Sequence, residues 1–194
     1  MCLKKTMNLD KILDTATALI NEHGLNYLTM QHLAKSLNVR SQSLYYYVAN
    51  RSELLSLVAA KRLESLRQKL LQDIVGLSGK KAIIRFADDV RNFLLQDKAI
   101  GSTLYSLNEL KLESAINEEV EKILALNRKI DIDRGKNLSV HALMGAVVGY
   151  VFFDQSKMFA DEDQETADRN YHEMILRLVG EGKKSSGKEG VSIA

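Results

Sequence analysis

The chain has 194 residues, 45% of them apolar, enough to enclose a sizeable core in one domain or one and a half. It holds no Pro, no Trp and a single cysteine, Cys2, so it forms no intramolecular disulfide and no cysteine-rich metal site. The formal net charge of +2 excludes little by itself.

No alternating run of Val, Ile and Thr is bounded by turn residues, and no Asn-Gly or Asp-Gly signals a hairpin. Leu, Lys, Glu, Ala and Gln recur instead at three- and four-residue spacing, which predicts an all-α protein. Leu9, Ile12, Leu13, Ala16, Leu19 and Ile20 mark the stripe of a first helix, and His23-Gly24 ends it, with glycine suited to a left-handed position. Thr29 caps a short second helix whose inward residues are Leu33, Ala34 and Leu37. Asn38 tolerates the left-handed conformation and makes a tight turn, which Val39 anchors. A third helix opens near Ser41 and runs to about Val48. Asn50-Arg51-Ser52-Glu53 has the form of a capping box for a fourth helix, which runs to about Ile74. The glycines and serine of 75–81 mark a boundary, and helical patterns follow at about 81–97, 101–109, 113–129, 134–158 and 163–179. These divisions predict a reading domain over 1–50, a connecting helix over 51–74, a body over 75–180 and a polar, disordered tail over 181–194.

Charge is unevenly spread. Residues 1–72 hold ten Lys/Arg against five Asp/Glu, whereas the remainder holds 17 against 20. A basic first third on a mildly acidic body suggests contact with a polyanion. Two short helices joined by a tight turn, behind a longer one, form a helix-turn-helix, whose second helix enters the DNA major groove with its N-terminal residues at base edges. Arg40, Ser41, Gln42 and Ser43 stand at that end. Leu44 and Val48, four apart, pack inward together. Tyr45, Tyr46 and Tyr47 then fan around the helix, and at least two must leave the core. Their hydroxyls suit phosphate oxygens; packing on a neighbouring helix or subunit is the competing use. Arg51, opening the fourth helix, is placed to face a phosphate.

Residues 9–58 resemble the DNA-binding domain of the TetR family of bacterial transcriptional regulators. The resemblance is carried by the first-helix stripe ending in HG, then LTMQHLAKSLNV, SLYYYV and NRSELL. Family positions fall on Thr29, Leu33, Ala34, Leu37, Asn38, Val39, Leu44, Tyr45, Tyr47, Val48, Asn50 and Arg51. Asn38 stands where Gly is usual, Tyr47 where His is common and Ala49 where Pro is frequent. Gln42 stands where one subset has Pro, leaving an amide able to read adenine.

The resemblance implies a helical C-terminal domain that binds a small molecule and forms a homodimer, and a regulator of double-stranded operator DNA, most simply a repressor released by its ligand. The alternative is a helical interaction protein that has kept the fold without sequence-specific DNA binding. Gly145, Ala146 and Gly149 put small residues on nearby turns, where a second protomer or another helix of the same chain can approach closely. Phe86, Phe93, Tyr105, Met144 and Phe152 are candidate pocket-lining residues, with His141 and Asp154 as polar contacts, although each lining residue by itself better suits plain core.

An enzyme is not expected. His23, His32, His141 and His172 form no His-x-x-x-His pair, and there is no phosphate loop or nucleophile elbow. Asp88-Asp89 and Glu118-Glu119 are helix neighbours that point in different directions. No cofactor or metal is predicted. The apolar run 140–153 is too short to span a bilayer, and no signal peptide is recognised, so the expected location is the cytoplasm.

Overall fold

The computed structural model describes residues 7–97, 114–126, 139–156 and 163–180. Among these the chain is all-helical: α1 (Leu9–His23), a 3-10 turn (Leu25–Tyr27), α2 (Met30–Leu37), α3 (Ser41–Leu44), α4 (Arg51–Asp73), α5 (Gly79–Gln96), α6 (Ser114–Ala125), α7 (Val140–Gln155) and α8 (Gln164–Leu178). The helix expected over 101–109 and the tail 181–194 lie outside the described residues.

Local chemistry sets the helix ends. Asn8 Oδ1 accepts the Lys11 N–H at 2.9 Å, and Thr29 Oγ1 accepts that of His32 at 3.1 Å. Asn50 Oδ1 accepts the Glu53 N–H at 2.9 Å, while the Glu53 carboxylate reaches back to the Ala49 N–H, one residue before the cap. Asn38 is left-handed, with φ 54° and ψ 48°, and the N–H groups of Asn38 and Val39 close on the Lys35 and Ala34 carbonyls. Gly24 also has positive φ, 87°, but its ψ of 164° is extended rather than left-handed helical. The third helix is shorter than its sequence pattern. It stops at Leu44, whose carbonyl accepts the N–H of both Tyr47 and Val48, so the tyrosine run forms a closing turn.

Two apolar clusters hold the helices. In the first, Ile12, Ala16 and Ile20 of α1 meet Leu28, Leu33 and Leu44 and the first turns of α4 at Leu54 and Val58. In the second, Leu63, Leu66 and Leu70 of α4 meet Phe86 and Val90 of α5, Ile116 and Ile123 of α6, Leu143 and Val147 of α7, and Tyr171 and Ile175 of α8. Each fully buried Leu, Ile or Phe contributes about 1.5–3 kcal/mol relative to exposure.

α4 therefore belongs to both clusters, and ion pairs fasten it to each. Lys61 Nζ lies 3.1 Å from Asp10 and 2.8 Å from Asp14, successive turns of α1. The adjacent Arg62 bonds the buried carboxylate of Asp97, just past α5, and Arg67 bonds Glu119 of α6 at 2.8 Å.

Candidate nucleic-acid interface

The turn made by Asn38 and Val39 sets α3 against α2, and Leu44 and Val48, 0% and 1% exposed, anchor α3 and its closing turn inward. That anchoring turns the other side chains out. Arg40, Gln42 and Ser43 are exposed and Ser41 is half-buried. Tyr45 is 53% and Tyr46 88% exposed, so the run does send two rings away from the core. The result is one outward end carrying a guanidinium, an amide, hydroxyls and two phenols. These are the groups that bond base edges and phosphate oxygens. The Arg40 side chain makes no capping hydrogen bond to α3.

The third tyrosine behaves differently from the sequence reading. Tyr47 is half-buried against the first cluster, and its hydroxyl donates to the Met7 carbonyl at 2.9 Å. Its edge meets the Tyr46 ring, with centroids 5.3 Å apart. The phosphate role expected of Tyr47 is thus corrected to an intramolecular tether. Forty residues separate donor and acceptor, so no local pattern announces the bond.

Arg51 is also engaged within the protein. Its Nε donates to the Leu28 carbonyl at 2.6 Å and its Nη2 to the Leu25 carbonyl at 2.9 Å. With two of its five N–H groups the guanidinium satisfies the Leu25 carbonyl of the 3-10 turn and the Leu28 carbonyl just after it. It ties the start of α4 to that turn. Thr29 holds its α2 cap with its hydroxyl oxygen and keeps only its hydroxyl proton for an outside acceptor.

Sequence reasoning also missed an aromatic stack beside α2. The Tyr27 ring lies between His23 and His32, at 4.3 and 4.2 Å, and His32 Nδ1 is 2.7 Å from the Tyr27 carbonyl. Lys61 was missed as well, although two aspartates four residues apart on α1 signal a cation between them.

The described residues expected to line a ligand site differ in their surroundings. Phe86 is 1% exposed and belongs to the second cluster. Phe93 is half-buried beneath the Arg62 guanidinium, 5.4 Å from its ring centroid. Met144 packs on the cluster edge, whereas His141 and Phe152 face outward. Tyr105 lies outside the described residues. Phe86 packs in the core, and helix α7 turns Leu143, Val147 and Val151 inward, which leaves His141 and Phe152 at the surface.

The body contains a buried cation. Arg91 of α5 pairs with Asp168 of α8 and lies 3.7 Å from Asp154 of α7, with its guanidinium 4.5 Å above the Tyr171 ring. The hydrogen bond from Arg91 holds the Asp168 carboxyl below the usual carboxylate range. Among the described residues no group of three His, Cys, Asp or Glu side chains is arranged to hold a metal ion. No described helix is long and apolar enough to cross a membrane.

Residues 12–58 match the family model described as "Bacterial regulatory proteins, tetR family". The uncharacterized HTH-type transcriptional regulator YobS of Bacillus subtilis is 24% identical over 69% of this chain and 70% of its own. The class D tetracycline repressor of Escherichia coli is 34% identical over 28% of this chain, and the match spans only 25% of that protein. Among solved structures, a TetR variant of Acinetobacter baumannii AYE in complex with minocycline superposes with a TM-score of 0.66 over 90% of this chain and 95% of its own, at 20% identity. That likeness shows a shared fold across the described body as well as its first third.

Proposed function

We propose that this chain, whose residues 12–58 match the tetR family of bacterial regulatory proteins, is a ligand-responsive repressor of double-stranded operator DNA. The observation that carries it is the outward end of α3, where anchored Leu44 and Val48 leave Arg40, Gln42, Ser43, Tyr45 and Tyr46 exposed together. This reading takes residues 1–50 as the reading domain, 51–74 as the connecting helix and 75–180 as the body. It makes the protein a non-enzymatic regulator that works in the cytoplasm, where operator DNA is.

The dimer in this reading uses α7. Leu143, Val147 and Val151 face the core, so Gly145 and Gly149 lie on another side. A Cβ added at either glycine meets nothing within 4 Å, which leaves room for a second helix. Reading a symmetric operator requires two recognition helices about 34–36 Å apart. α4, 23 residues long, runs from the reading domain into the body through the Lys61 and Arg62 pairs. A small, largely apolar molecule bound within 81–160 that favours another separation lowers operator affinity by its differential affinity for the two states.

The test is binding-site selection from a random duplex library. The parent chain is expected to enrich a two-fold symmetric motif. Gln42→Ala should lose preference at one base of each half-site, worth about 1–3 kcal/mol of discrimination. Enrichment no better than the starting pool would leave a helical interaction protein as the better description.

A further inference from the structure

The cluster around Arg91 holds more polar groups than it satisfies. Asp88 and Arg91 lie one turn apart on α5 and so share a face. Asp168, Tyr171 and His172 meet that face from α8. Arg91 directs Nη2 to Asp168 and lies near Asp154, so two carboxylates already match its charge. Three atoms have no such match. Asp88 Oδ1, Arg91 Nε and the Tyr171 hydroxyl are buried and hydrogen-bond to no group among the described residues. His172 Nε2 stands 3.6 Å from Asp88 Oδ1, beyond hydrogen-bond reach. Tyr171 is 0% and Arg91 5% exposed, so both are shut off from bulk water. Buried polar atoms are nearly always bonded, because an unbonded one has lost its hydration for nothing.

The three atoms differ in what they can bond. A carboxylate oxygen only accepts, a guanidinium Nε only donates, and a phenol does both. Burial pushes the Tyr171 phenol upward, so it keeps its proton. A guest that answers all three must donate and accept at once. An ammonium cannot accept from Arg91 Nε and sets a second positive charge beside it. A carboxylate cannot donate to Asp88 and meets the charges of Asp88, Asp154 and Asp168. An uncharged hydroxyl or carboxamide does both. The rest of the guest is apolar, because Val90 of α5 and Ile175, one turn beyond Tyr171 on α8, belong to the second cluster beside these atoms. Access is from the side of Asp88 and His172, whose side chains are 28% and 53% exposed.

We infer that the seam of α5, α7 and α8 binds the uncharged hydroxyl or carboxamide of an otherwise apolar molecule, with Asp88, Arg91 and Tyr171 as its contacts. Resting on the ligand-responsive reading, this seam holds the polar end of the regulatory ligand, and the ligand site extends beyond 81–160 to α8.

The experiment follows the Arg91 Nε–H resonance of the full chain, assigned with Arg91→Lys, as n-butanol, n-butylammonium or butyrate is added. n-Butanol should shift it saturably, and the two charged probes of equal chain length should not. Tyr171→Phe removes only the hydroxyl, keeps the ring beneath Arg91, and should weaken n-butanol binding about fivefold, the share of one hydrogen bond. Asp88→Ala removes the acceptor and should weaken it at least as much. A resonance that exchanges with water but ignores n-butanol overturns the site. So does a charged probe that binds as tightly, or a Tyr171→Phe variant with parental affinity. The duplex recovered by binding-site selection tests the regulatory link separately. Saturating n-butanol that leaves affinity for that duplex unchanged keeps the site and overturns its connection to DNA release.

Discussion

Replacing Arg51 with Ala separates an internal strut from a phosphate contact. The side chain makes two charge-assisted bonds to backbone, at 2.6 and 2.9 Å, and no bond within its own helix turn replaces them. Hydrogen bonds to charged groups contribute about 1.5–3 kcal/mol each, and the half-buried position argues for the lower end, so the loss should be about 3 kcal/mol. For a chain of this size that lowers the melting temperature by about 6–12 °C. Arg51→Lys keeps the charge but not the planar fork and should retain about half of the stability. Urea unfolding followed by circular dichroism reads the stability, and DNA affinity against salt reads the phosphate interaction. A destabilisation under about 0.5 kcal/mol, together with a salt slope flattened by about 0.9 per protomer, would refute the strut and return Arg51 to the phosphates.

Asn38→Ala should destabilise by about 1–2 kcal/mol because φ is 54° there, whereas Asn38→Gly should be neutral or better; equal stability of all three proteins in urea would remove the turn argument. Asp168 has a depressed folded-state pKa because Arg91 bonds it, so its contribution is present above the ordinary carboxylate range and is lost as pH falls through the folded value. Asp168→Asn should therefore melt below the parent at pH 7, with the difference shrinking below about pH 4; a gap independent of pH would sink the explanation. Gly149→Leu should leave the protomer folded, since an added Cβ meets nothing within 4 Å, but should weaken self-association in sedimentation equilibrium. An unchanged dimer would move the interface elsewhere.

What the sequence determined by itself was whatever a few neighbouring residues decide. The caps at Thr29 and Asn50 and the left-handed turn at Asn38 close through bonds spanning three to five residues, so their chemistry is legible in a short window. The inward stripe of Ile12, Ala16, Ile20, Leu33, Leu44 and Val48 follows from helical periodicity alone. Tertiary structure decided where long polar side chains find their partners. Arg51 and Tyr47 carry the same charge and hydroxyl whether they face phosphate or backbone. Only the approach of Leu25 and Leu28, 26 and 23 residues away, and of Met7, 40 away, selects the backbone. The same holds in the body, where an aromatic at helical spacing fits a core or a pocket equally well. Packing of α5 against α4, α7 and α8 makes Phe86 core, and α7 turns His141 and Phe152 outward, because a helix has one inward face and its neighbours choose which.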